Sequence, residues 1–141
     1  MADPYALERF VVAQAPVIDT VLAELAAGAK RTHWMWFVFP QLAGLGRSET
    51  ARFYGIASLT EAQAYWRHPL LGPRLRQCCD LLLPHAARGA ERVLGPVDAL
   101  KLRSCLTLFE RAAPDEPVLG ELLDDYYAGE RDEATLALLD R

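Results

Sequence analysis

The sequence predicts an all-α fold, a compact single domain over residues 1–141 with seven to nine short helices and no β-sheet. Three observations predict it. Apolar residues recur at i, i+3, i+4 and i+7 in several separate segments, the spacing of a helix face. Caps, prolines and glycines bracket those segments. The chain has 141 residues, 52% of them apolar, and a net charge of −4. That is enough for one core, too little for two, and too apolar for disorder.

Taken in order, Asp3-Pro4 reads as a helix start, an N-cap followed by proline at the first helical position, with Leu7, Phe10 and Val11 on one face. Pro16 restarts a helix whose core face is Ile18, Val21, Leu22 and Leu25. Gly28 stops it, with Lys30 and Arg31 just beyond, near the negative helix end. His33 to Phe39 is compatible with a buried strand or a helical turn. Because no other segment reads as a strand, a short helix closed by Pro40, or a packed irregular segment, is preferred. Gly44–Arg47 is a loop, and Ser48 caps a helix running to about Tyr54 and stopping at Gly55. Ser58-Leu59-Thr60-Glu61 matches a capping box and opens a helix ending near His68-Pro69. Leu71, Leu75, Cys78, Cys79 and Leu82 mark a longer helix that ends before His85. Gly89 to Gly95 holds at most one helical turn. A helix beginning near Asp98 has Leu102, Cys105, Leu106 and Phe109 as its core face. Leu119, Leu122, Leu123 and Tyr126 mark another, and Leu136, Leu138 and Leu139 lie in a short terminal one.

The net charge of −4 conceals an uneven distribution. Residues 1–29 carry one basic and four acidic side chains, residues 30–103 eleven basic and five acidic, and residues 110–141 three basic and ten acidic. Either the acidic ends pack on the basic middle, or the middle forms a cleft that concentrates field and holds an anion. The overall charge gives no reason to expect nucleic acid. No run approaches the roughly 18 to 20 apolar residues of a membrane span, so no membrane is expected. The acidic, amphipathic N-terminus does not read as a secretory signal. Cys78, Cys79 and Cys105 form no CxxC pair. An odd count with vicinal members reads as buried thiols in a cytoplasmic protein rather than a disulfide framework. His33, His68 and His85 lack metal-ligand spacing, so no metal is expected, and no cofactor is expected either.

Three segments could carry chemistry, all within the basic stretch. His33 to Phe39 packs five aromatic or histidine side chains into seven residues. It is either core, with the indole N–H groups on backbone carbonyls, or a wall for a planar ligand with His33, Trp34 and Trp36 around it. Gly44–Ser48 offers the Ser48 N–H at a helix start and the charge of Arg47. It lacks P-loop spacing and follows no strand, so nucleotide hydrolysis is not supported. In Lys101-Leu102-Arg103-Ser104-Cys105, Lys101, Ser104 and Leu108 share a face that lies about 100° round the helix from Leu102, Cys105 and Phe109. That makes the helix central and Lys101 partly buried. Lys101 is then paired with a carboxylate such as Asp98, or is an anion ligand, or is a lysine of lowered pKa beside Ser104. Cys105 falls on the core face and is no nucleophile. His68 and His85 read as helix-end contacts.

The strings HWMWFVFPQLAGLGRS, ARFYGIASLTEAQAYWRHPLLGPRL and DALKLRSCLTLF resemble the bacterial proteins of domain of unknown function 1810. The resemblance spans Asp3 to about Leu139. Its characteristic positions match at Trp34, Trp36, Phe39, Pro40, Gln41, Gly44, Gly46, Ser48, Tyr54, Gly55, His68, Pro69, Gly72, Lys101, Ser104 and Phe109. It implies a compact, mainly helical single domain and no particular reaction.

Two functional readings follow. The first is a binding protein or enzyme whose pocket is walled by His33, Trp34 and Trp36. Arg47, the Ser48 N–H and Lys101 would contact a small anionic ligand, phosphorylated or nucleotide-like, and Ser104 would donate a hydrogen bond. The second is a protein–protein interaction module using the acidic C-terminal helices, with an exposed apolar patch flanked by Asp124, Asp125 and Glu130.

Overall fold

A computed structural model describes residues 2–141. Among these residues there are ten α-helices and one 3-10 turn. The helices are α1 (Glu8–Gln14), α2 (Ile18–Ala27), α3 (Met35–Val38), α4 (Glu49–Phe53), α5 (Leu59–Arg67), α6 (Leu71–Leu82), α7 (Ala90–Leu94), α8 (Pro96–Ala112), α9 (Pro117–Tyr127) and α10 (Glu133–Leu139). The 3-10 turn, Leu83–Arg88, links α6 to α7. The all-α class and the absence of a sheet hold for the described residues. The helix count exceeds the seven to nine read from periodicity, because α3, α4 and α7 are only four or five residues long. Segments that short are held by their surroundings and show little helical period of their own.

The boundaries follow the capping chemistry. Gly28, with φ 69°, ends α2 in the left-handed conformation that glycine adopts without steric cost. His85 Nε2 lies 3.0 Å from the Ala26 carbonyl, and Arg88 donates to the carbonyls of Ala27 and Gly28. The orphan acceptors at this helix end are thereby satisfied. His68 Nδ1 accepts from the Leu70 and Leu71 N–H groups and so caps α6. Both histidines are helix-end contacts, as their positions suggested. Ser48 and Ser58 accept from Ala51 N–H and Glu61 N–H respectively. The second half of the box is altered, since the Glu61 carboxylate takes the Ala57 N–H and pairs with Arg9 at 2.9 Å.

Two helix starts differ from the sequence expectation. The Asp3 carboxylate accepts from Leu7 and Glu8 N–H, so it caps a helix that begins only at Glu8, across a turn where Ala6 has φ 51°. Helix α8 starts at Pro96, two residues before Asp98, because proline suits the first turn, where an N–H has no intrahelical acceptor.

Helix α8 is the axis of the domain, packed against α5, α7, α9 and α10. Leu102, Cys105, Leu106, Leu108 and Phe109 are fully buried, so the helix is apolar on opposite sides, as a central element must be. Each such side chain contributes roughly 1.5–3 kcal/mol by leaving water. Cys78, Cys79 and Cys105 are free, buried thiols. Ion pairs join the acidic ends to the basic middle at Arg9–Glu61, Arg76–Glu116 and Arg103–Asp132. No single helix among the described residues is long and apolar enough to cross a membrane.

Candidate functional site

The loop after α3 is tied to the connection between α4 and α5 by a short backbone clasp. Ala43 N–H donates to the Ile56 carbonyl at 2.8 Å, and Ile56 N–H donates to that of Gln41 at 2.9 Å. The clasp needs glycine at 55, where a Cβ would sit 2.8 Å from the Ala43 backbone. A Cβ at Gly46 would collide with that of Ala51 at 2.4 Å, which fixes the loop against α4.

Between this loop, α8 and the start of α10 lies a groove of about 350 Å³, whose walls include Gln41, Gly46, Val97, Leu100, Lys101, Arg103, Ser104 and Asp132. Around Arg103 and Leu100 it adjoins a hollow of about 580 Å³ between α7, α8 and α9. Arg103 and Asp132 also border a third depression of about 500 Å³ beside residues 130–136. Arg103 borders all three, and the three together are termed the furrow along α8. Val97 and Leu100, 64% and 62% exposed, stand in it as an apolar ridge.

The cations in the furrow differ from the well-paired Lys30 and Arg131. Lys101 Nζ lies 4.7 Å from the centroid of the half-buried Trp36 ring and 4.0 Å from Asp98. Arg103 faces Glu130 and Asp132 at 3.9 Å each, and its buried Nε has no hydrogen-bond partner. These separations are too long for hydrogen bonds. By contrast, Lys30 reaches Asp98 at 2.8 Å and the Thr32 carbonyl at 2.6 Å, and Arg131 grips Glu110 with two bonds of 3.0 and 2.7 Å. Asp98 is thus committed to Lys30, leaving Lys101 with cation–π and distant Coulomb contacts only.

The structure therefore places Lys101 and Ser104 in one groove with Gly46 and sets Trp36 against Lys101, although Trp36 itself lines none of the three depressions, and it leaves the other candidates apart. Arg47 and Ser48 are exposed just outside the groove, Ser48 occupied by its cap. His33 is exposed and lines none of the three depressions. Trp34 is wholly buried, so it cannot wall a ligand. Its indole N–H donates to the Glu24 carboxylate at 3.0 Å rather than to a backbone carbonyl. Burial would raise the pKa of Glu24. Hydrogen bonds from the Thr32 hydroxyl, the Arg31 and Thr32 N–H groups and Trp34 outweigh it and hold the carboxyl at about 2.

Ser104 borders the groove, but its hydroxyl is directed to the Leu100 carbonyl at 3.3 Å and Asp132 Oδ2 at 3.2 Å. Asp132 in turn caps α10 through Thr135 N–H, so Ser104 helps dock α10 on α8. A Lys101–Ser104 nucleophile pair is not assembled. Arg103, Leu100, Tyr126 and Tyr127 also line these depressions and were not among the candidates the sequence singled out. Arg103 sat in the segment already singled out. Its neighbours come from the end of α9 and the α9–α10 connection, Tyr127, Glu130 and Asp132, which no local pattern connects to it. Among the five exposed large apolar side chains, Val12, Phe53, Leu70, Val97 and Leu100, none belongs to the acidic C-terminal helices.

No curated protein matches the sequence. The crystal structure of the conserved hypothetical protein Rv1873 from Mycobacterium tuberculosis is similar throughout, with 55% identity, 99% of each chain covered and a TM-score of 0.97. The family model described as protein of unknown function (DUF1810) matches residues 4–139. Nearly the whole chain is covered by that match, and the protein belongs to the DUF1810 family.

Proposed function

We propose that the protein binds a small anionic organic molecule, phosphorylated or nucleotide-like, in the furrow along α8. One observation carries this reading: Lys101 and Arg103 are both directed to the furrow, and neither side chain has a hydrogen-bond acceptor among the described residues. A partly desolvated cation without an acceptor is costly, and an incoming phosphate or carboxylate supplies the missing acceptors. Trp36 holds Lys101 in place by its ring face. Val97 and Leu100 offer apolar surface to the rest of the ligand.

A thermal-shift screen of nucleotides and sugar phosphates on wild type and Lys101→Ala tests this. A ligand at about 100 times its Kd adds roughly 2.7 kcal/mol of stability, enough to raise the Tm by several degrees. The wild type is expected to shift and the variant to respond weakly or not at all. No shift in the wild type, or an equal response in the variant, removes the proposal.

A further inference from the structure

We infer that the hollow between α7, α8 and α9 is a subsite for a planar aromatic group, so that the ligand is an aromatic organic phosphate of the nucleoside monophosphate kind. This rests on the anion reading above, and it concerns residues that reading does not use. Leu100 and Arg103 are walls of both depressions, so a ligand whose anionic group sits at Lys101 and Arg103 can extend directly into the hollow.

The hollow is built for a ring. Tyr126 and Tyr127 form one side of it. Tyr126 donates its hydroxyl to the Leu82 carbonyl, and Tyr127 donates to that of Ala99. With the hydroxyls spent on backbone, the tyrosines offer ring carbon, and the two anchors hold the rings in fixed places. Ala90, Pro96, Ala99 and Leu100 add apolar surface. Gly89 also lines the hollow, and a Cβ there would meet no atom within 4 Å, so no side chain fills the space. About 580 Å³ lies within the range that accommodates an organic ligand.

The charge suits an anion and excludes a cationic ring. Arg88, Arg92 and Arg103 line the hollow against the single carboxylate of Glu91. Arg88 is fixed by its bonds to the Ala27 and Gly28 carbonyls, and Arg103 lies 6.0 Å from the Tyr127 centroid. Arginine planes and tyrosine rings are the two surfaces on which nucleobases stack.

Calorimetric titration of the full chain with inorganic pyrophosphate, ribose 5-phosphate, adenosine monophosphate and adenosine tests the inference. Stacking on an aromatic side chain changes affinity by roughly ten-fold or more. Adenosine monophosphate is therefore expected to bind about ten-fold more tightly than ribose 5-phosphate. Tyr127→Leu should erase that preference and Tyr127→Phe should keep it, whereas Lys101→Ala should weaken both phosphates alike. Equal affinity of the wild type for the two phosphates overturns the aromatic subsite and leaves the anion site standing. A preference that survives in a folded Tyr127→Leu also overturns it. Binding of adenosine without either phosphate overturns the anion reading and the joint ligand with it. If none of the four binds, both fall. Should Tyr127→Leu fail to fold, transferred nuclear Overhauser effects between adenine and tyrosine ring protons in the wild type decide the matter, and their absence in a bound complex overturns the subsite.

Discussion

Replacing Glu24 by glutamine removes a charge while keeping the shape of the side chain, and its effect can be worked out in advance. The carboxylate receives Arg31 N–H at 2.7 Å, Thr32 N–H at 3.0 Å, the Thr32 hydroxyl at 2.6 Å and the Trp34 indole at 3.0 Å. These bonds join the end of α2 to the segment that positions Trp34 and, two residues on, Trp36. Its carboxyl is held at about 2 against an ordinary 4.5. A carboxyl lowered on folding stabilises the native state above its unfolded pKa and loses that contribution as pH falls through the folded one. The contribution is at most about 3 kcal/mol near neutral pH, and about 2 kcal/mol once partial solvent screening is counted. Urea unfolding followed by tryptophan fluorescence should find Glu24→Gln less stable by about that amount at roughly pH 7. The gap should narrow by more than half by about pH 3, because the wild type is then losing the same interaction. A gap that stays constant over that range, or no destabilisation at neutral pH, would show that the Glu24 charge does not stabilise the fold.

Three further outcomes follow from the packing. A Cβ at Gly72 would lie 1.9 Å from the Trp66 carbonyl oxygen, a backbone atom that cannot swing aside, so Gly72→Ala should cost about 3 kcal/mol or more in urea unfolding. Ala128 ends α9 at φ 54°, where a Cβ is strained, so Ala128→Gly should raise stability by about 0.5–1 kcal/mol, visible as a higher Tm. Burial pushes the Cys78 thiol up to about 12, and those of Cys79 and Cys105 well above the usual thiol range. All three thiols should ignore an aromatic disulfide reagent in the folded protein and react after denaturation.

The parts of the fold legible in the sequence are those fixed by local chemistry. Ser58 and His68-Pro69 bounded α5 because a capping hydroxyl and a proline act on their immediate neighbours. Asp3 misled because its carboxylate reaches across a turn to Leu7 and Glu8, which spacing alone does not reveal. Lys101 stood out because a charge on a helix apolar on opposite sides is conspicuous. Trp34 and Trp36 looked equivalent in the sequence. In the fold Trp34 is core, with its indole N–H on the Glu24 carboxylate, while Trp36 lies against Lys101. Tyr126 and Tyr127 belong to an acidic helix that looked like a separate face. Their hydroxyls bond the Leu82 and Ala99 carbonyls, and both residues line the hollow beside α8. The second functional reading failed to gain an apolar patch for a related reason, since the apolar faces of α9 are spent on the core.

The most direct test of the anion furrow is a two-dimensional 1H–15N spectrum of the protein during titration with adenosine monophosphate. Progressive, saturable shifts are expected on Gly46, Val97 to Ser104 and the Tyr126–Tyr127 pair, lost in Lys101→Ala. A spectrum that does not move, or that moves on a face away from α8, would contradict anion binding in the furrow.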